Sequence, residues 1–114
     1  MLSTPWENRS NTYDIVVIGS GYGGAISAAR LAMADLNPKP SICILERGKE
    51  WQPGDYPEAP LDVAATLRSD LNPLGLYELL NHPDISVIKG SGLGGTSLIN
   101  ANVAIVPDEG LFQQ

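Results

Sequence analysis

Tyr13-Asp14-Ile15-Val16-Val17-Ile18-Gly19-Ser20-Gly21-Tyr22-Gly23-Gly24 is the stretch on which the fold turns. Its first half is a short apolar, β-branched run of the kind that a strand buried on both faces requires. Its second half breaks abruptly into glycines. The small and apolar residues Ala25, Ala28, Ala29, Leu31 and Ala32 follow, and they suit a helix over about 23–35 packed closely on a sheet. Asn37-Pro38-Lys39-Pro40 stops that helix, because proline cannot donate to a helical ladder. Ser41 to Leu45 then reads as a second buried strand. Strand, helix and strand in about thirty residues make a βαβ unit, with parallel strands and a right-handed crossover.

Gly19, Gly21 and Gly24 satisfy the spacing G-x-G-x-x-G, and their place between a strand and a helix makes the match a dinucleotide-binding, Rossmann-like one. Gly19 serves the tight turn, Gly21 lets backbone approach a pyrophosphate, and Gly24 allows the helix to pack closely. The free N–H groups of Tyr22, Gly23 and Gly24, with the helix dipole, can hold negative charge without a lysine. Glu46 ends the second strand about twenty residues further on, where a carboxylate can accept hydrogen bonds from both hydroxyls of an adenosine ribose. That favours FAD or NAD over NADP, since Glu46 repels a 2′-phosphate, although the adjacent Arg47 could accommodate one. The alternative is a glycine turn and an acidic strand end with no ligand.

Outside this unit, residues 1–12 are polar without a clear period and read as a flexible lead-in, with the domain proper spanning 13–114. Pro53, Pro57 and Pro60, with Gly54, Trp51 and Tyr56, mark 49–60 as an excursion over the surface. Two short helical patterns follow, at Leu61–Asp70 and Leu76–Leu80. Ile85–Ile88 reads as a third strand of an unfinished parallel sheet, and Val103–Val106 as a fourth. A second glycine-dense run, Gly90-Ser91-Gly92-Leu93-Gly94-Gly95-Thr96-Ser97-Leu98-Ile99-Asn100, follows the third strand. It suits an anion nest or ligand-facing turn, and equally a structural turn.

Residues 90–113 resemble the first signature of the glucose-methanol-choline (GMC) oxidoreductases. The likeness rests on Gly90, Leu93, Gly94-Gly95, Thr96-Ser97, Ile99, Asn100, Ala104, Pro107 and Gln113. The run from Asn72-Pro73 through Asn100-Ala101-Asn102 to Pro107 looks most like the cholesterol-oxidase branch. The resemblance implies that the first loop and its acid hold the ADP part of FAD. It implies that Gly90, Gly94, Gly95 and Ser97 lie along the cofactor, and that Asn100, Ala101, Asn102 and Val103 reach the isoalloxazine. It further implies oxidation of the CH–OH group of an alcohol, sterols included, with hydride passing to flavin N5. Ser91 departs from the signature, which usually has Arg, Lys, Asn or Cys there. Length departs too, because members are several times longer, with a substrate domain and catalytic histidine downstream. The chain is therefore expected to be the FAD-binding part of a larger two-domain flavoenzyme, with no catalytic residue of its own.

Seven basic against thirteen acidic residues give a net charge of −6, which disfavours nucleic acid and anionic lipid as partners. No apolar run approaches the roughly 18 residues that span a bilayer, and no basic n-region with an apolar h-region opens the sequence, which argues against a secretory signal but leaves room for one removed ahead of residue 1. Cys43 lies in an apolar run and reads as a buried, inert thiol. His82, the single histidine, sits in the turn-like Asn81-His82-Pro83-Asp84, so no metal site suggests itself. Asn8-Arg9-Ser10 fits a glycosylation acceptor, a pattern that chance supplies readily. Trp6, Trp51, Tyr56 and Tyr77 read as packing residues, and Asp14, Asp55 and Glu58 as surface charges. Two other functions remain open on the residues: an NAD-binding Rossmann domain, against which the second glycine loop counts, and a nucleotide-binding chain without catalysis.

Overall fold

A computed structural model describes residues 1–101, 104–106, 108 and 110. Strands β1 (Ile15–Ile18) and β2 (Ile42–Leu45) pair in parallel, Ile15 against Ile42 through Ile18 against Leu45. Helix α1 (Tyr22–Met33) crosses between them. The βαβ unit is thus where the apolar runs and the glycine loop put it. Parallel pairing brings both strands' C-terminal ends to one edge, so Gly19 and Glu46 emerge side by side, and the Gly19 N–H donates to the Leu45 carbonyl at 2.8 Å. At the opposite edge Asp14 accepts from the Ser41 N–H at 2.8 Å and the Ser41 hydroxyl at 2.7 Å, closing the start of the pair. Asp14 is therefore a strand clamp rather than a free surface charge. The Ser41 hydroxyl, followed by the Ser41 amide, holds its carboxyl below the usual range.

Beyond β2 the architecture departs from the expected continuation of a parallel sheet. Helix α2 is only six residues long (Pro60–Ala65), and the Asp62 carboxylate accepts the Ala59 N–H at its start. The segment Leu76–Leu80, expected to be helical, forms strand β3 (Tyr77–Asn81). It pairs antiparallel with β4 (Ser86–Gly90), the strand expected at 85–88, in a second two-stranded sheet. Five residues carry too little periodicity to separate strand from helix, and the partner strand decides. The turn between them closes with His82 N–H donating to Ile85 O at 2.9 Å, which leaves His82 a loop residue. Of the fourth expected strand, Val103 lies outside the described residues, and Ala104–Val106 have no regular structure.

The core is thin. Among the described residues only Ala28 and Leu76 are fully buried apolar side chains, while Ile18, Met33 and Leu71 are largely exposed. The chain exposes 9073 Å², against roughly 6,000 Å² for a compact monomer of its mass. Cys43 is half-buried in the middle of β2, less enclosed than its apolar run suggests. The 49–60 excursion carries its own packing, with Trp51 and Tyr56 rings 5.9 Å apart and Lys49 over the Trp51 face at 3.9 Å. Asp55 belongs to it as well, accepting from Lys49 at 3.1 Å and from the Gln52 N–H at 3.2 Å.

The amino-terminal segment, expected to be a free lead-in, is tied to this excursion. Glu50 accepts from the Leu2 N–H at 2.8 Å and from both the N–H and hydroxyl of Ser3, at 2.8 and 2.7 Å. These donors, the Ser3 amide foremost, lower the Glu50 carboxyl to about 2 from an ordinary 4.5. A folded-state value below the unfolded one means that the tie adds stability above pH 4.5 and loses it as pH falls toward 2. In an amide NMR titration, Leu2 and Ser3 should therefore respond with a midpoint near 2, and Glu50→Gln should abolish the response. A midpoint at 4.5 would contradict the tie.

Candidate functional site

The site forms where the C-terminal edge of the β1–β2 pair meets the second glycine loop. Gly19 turns the chain at φ +86° and Gly21 caps α1 in an extended conformation. At Gly24 a Cβ would run into the Gly19 carbonyl and lie 3.3 Å from Val17 Cγ1, so glycine there is demanded by helix-on-turn packing, as expected. Gly21 differs: a Cβ built on it meets nothing within 4 Å, and its φ of −63° suits any residue. Neither packing nor backbone conformation demands glycine at this position. The first amides of α1, at Tyr22, Gly23 and Gly24, lie at a helix N-terminus with no side-chain cap, beside that open face.

Ser20, an unassigned x of the glycine motif, is the hub. It is 5% exposed. Its hydroxyl donates to Glu46 Oε2 at 2.7 Å and accepts the Gly94 N–H at 2.9 Å, while its own N–H donates to the same Glu46 oxygen at 3.0 Å. Glu46 Oε1 takes the Gly48 N–H at 2.9 Å. Burial pushes the Glu46 carboxyl up, but the hydrogen bonds from Ser20 and Gly48 outweigh it and hold the group below its ordinary 4.5. Glu46 thus stays ionised, and it lines the cleft between the loops. Its carboxylate also ties the first loop, which the ribose role alone does not require.

The second loop closes over the first. At Gly95 (φ +61°) a Cβ would sit 2.8 Å from Gly21 Cα, so the two glycine loops touch backbone to backbone. At Gly90 a Cβ would lie 2.7 Å from the Gly95 carbonyl. Gly94, in the left-handed region, starts a 3₁₀ turn (Gly95–Ile99) whose Ser97 hydroxyl donates to the Gly94 carbonyl at 2.8 Å. Asn100 Nδ2 donates to the Tyr22 hydroxyl at 2.9 Å, linking the loops again. Ser91, the departure from the family signature, is buried and accepts Arg68 Nη1 at 3.0 Å, and its carbonyl accepts the Trp51 indole N–H at 3.0 Å.

Between the loops lies a cleft of about 300 Å³ with Ile18, Gly19, Gly21, Leu45, Glu46, Arg47, Lys89, Gly90 and Gly95 in its walls. A wider recess of about 680 Å³ adjoins the 3₁₀ turn, lined by Tyr77, Ile88, Thr96, Ser97, Asn100 and Ala101. Gly19, Gly21, Glu46, Arg47, Gly90 and Gly95 therefore converge on the cleft, and Ser97, Asn100 and Ala101 on the recess. Asn102 and Val103 lie outside the described residues. Ser20, Glu78 and Lys89 were missed in the sequence; a hydroxyl residue inside a glycine turn was the one signal for Ser20. Glu78 accepts from Arg47 and, at 3.2 Å, from Lys89. Among the described residues no group of acids, histidines and cysteines could hold a metal ion, and no helix is long and apolar enough to cross a membrane.

No protein-family model matches the chain. The chain is similar to a cholesterol oxidase of Acinetobacter baumannii, 28% identical over 103 residues, which cover 90% of the chain and 18% of the relative. It is 33% identical over 95 residues to an uncharacterized GMC-type oxidoreductase of Mycobacterium tuberculosis, covering 82% and 14%. It is 31% identical over 111 residues to a glucose oxidase of Penicillium chrysogenum, covering 96% and 18%. The chain thus spans less than a fifth of the length of the curated relatives it matches.

Removing the Ser20 hydroxyl strands both the Gly94 N–H and part of the Glu46 carboxylate. Ser20→Ala should therefore cost about 1–3 kcal/mol in urea unfolding at neutral pH. Because the Glu46 value is depressed, its contribution is present above pH 4.5 and lost as pH falls below it. Glu46→Gln should remove that acid limb of the stability profile. An unchanged midpoint in Ser20→Ala would show that the hub carries no stability.

Proposed function

We propose that this chain, which belongs to the GMC oxidoreductase family by its relatives, holds the ADP portion of FAD in the cleft between its two glycine loops. The observation that carries the reading is the open face over Gly21, beside the bare N-terminus of α1, with Glu46 on one wall and the second loop on the other. The α1 amides of Tyr22, Gly23 and Gly24 receive the pyrophosphate. The Glu46 carboxylate, whose Oε1 takes the Gly48 N–H, would be the acceptor for a ribose hydroxyl. Arg47 stands in the wall of the same cleft, and Gly90 and Gly95 leave backbone bare on the facing wall.

The recess beside the 3₁₀ turn suits the far end of the cofactor, with Ser97, Asn100 and Ala101 on its wall. Tyr22 and Asn100, joined by their hydrogen bond, hold that wall to the first loop. When bound, FAD supplies the hydride acceptor for oxidation of an alcohol CH–OH group, sterols being one candidate class. What the residues of this chain do is bind, orient and keep the backbone close. His82 lies in the β3–β4 turn, outside the residues lining either cavity.

Titration calorimetry of the 114-residue chain against FAD and NAD tests the reading. FAD should bind at least tenfold more tightly, because NAD leaves the recess at the second loop unfilled. Gly21→Ala should keep the fold, since its Cβ meets nothing, yet weaken FAD by roughly tenfold or more by blocking the approach. At a hundredfold excess over Kd, FAD should also stabilise the chain by about 2.7 kcal/mol. Equal affinity for the two cofactors would favour an NAD domain, and binding of neither would end the cofactor reading.

A further inference from the structure

The cleft walls hold two cationic side chains, Arg47 at the end of β2 and Lys89 on β4. Both meet one carboxylate. Glu78 sits on β3 directly across from Lys89 in the strand register, accepts from Lys89 Nζ at 3.2 Å, and accepts from Arg47 Nη2. It is also the most sheltered of the three, with its side chain 17% exposed against 37% for Lys89 and 55% for Arg47. The hairpin thus carries an acid to the cleft's own cations, which connects a segment outside the βαβ unit to what the cleft can bind.

A 2′-phosphate on an adenosine ribose seated at Glu46 would need a cationic partner, because Glu46 itself is ionised and repels it. Arg47 is the adjacent candidate and Lys89 the other, each lining the same cleft. Resting on the dinucleotide reading above, we propose that Glu78 is the positioning residue that sets ribose specificity: by holding Arg47 and Lys89 it denies a counter-ion to a 2′-phosphate, so the cleft takes adenine dinucleotides whose 2′-hydroxyl is free. Glu46 rejects the phosphate by repulsion and Glu78 rejects it by occupying the cations that would relieve that repulsion. The two acids act in series, Glu46 at the ribose and Glu78 on the cations beside it.

The test uses the whole chain and two probes, ADP-ribose and 2′-phospho-ADP-ribose, by calorimetry at low ionic strength. The wild type should prefer ADP-ribose by at least tenfold. Glu78→Gln should narrow the preference by about tenfold, the scale of one charge-assisted hydrogen bond to the freed cations. It should do so by strengthening the phosphorylated probe, and added salt should reverse the gain. Arg47→Met in the Glu78→Gln background should restore the wild-type ratio. Glu78→Asp, which keeps the charge, should stay within twofold of wild type, and it tests the claim even where the glutamine variant folds poorly. An unchanged ratio in Glu78→Gln with ADP-ribose binding intact overturns the proposal, as does lost discrimination in Glu78→Asp. A wild type that binds neither probe overturns the dinucleotide reading itself, and the proposal falls with it.

Discussion

Ser20 joins three pieces of chain that are remote in sequence. Its hydroxyl is donor to the end of β2 through Glu46 and acceptor for the second loop through Gly94, while its backbone continues β1 into α1. A hydroxyl can do both at once because it has one proton and two lone pairs. With that hub in place the loops come close enough for backbone to touch backbone, Gly95 on Gly21 and Gly48 on Gly92. Any side chain at Gly48 or Gly95 would push the layers apart. The cleft exists because these contacts are made at its sides while the face above Gly21 is left open.

A chain with net charge −6 has few cations to offer a pyrophosphate, and the proposed cofactor therefore relies on peptide dipoles at the start of α1. The cleft's cations are paired with Glu78, and its own acid is kept ionised by hydrogen bonds, so the positive end that no side chain caps is the start of α1. That arrangement suits a ligand recognised along its length by backbone, with side chains reserved for discrimination at the ribose. It also explains why a thin apolar core is compatible with an ordered site: the ordering comes from polar bonds between loops rather than from buried volume.

Local chemistry was readable in the sequence and distant partnership was not. β1, α1 and β2 were legible because the apolar runs are long enough to have a period and the glycines between them have strict positions. The position of Glu46 just past β2 was legible from its spacing, and its bonds to Ser20 and Gly48 were not. Leu76–Leu80 was misread because Tyr77-Glu78-Leu79-Leu80-Asn81 alternates too briefly, and its strand character comes from β4. The same hairpin was then misplaced, since an apolar run says nothing of which sheet it joins. Ser91 departs from the signature, and the residue that reaches it, Arg68, comes from a segment with no motif. Ser20, Glu78 and Lys89 owe their roles to partners brought near only by folding.

The account stands on one claim above the others, that the two glycine loops form a single binding surface. Amide chemical-shift mapping of the chain on addition of FAD measures that directly. Concerted shifts at Gly21–Gly24, at Gly48 beside the Glu46 carboxylate, and at Gly90–Gly95, all saturating with one dissociation constant, are the predicted result. Shifts confined to one loop, or saturating separately at the two, would contradict it.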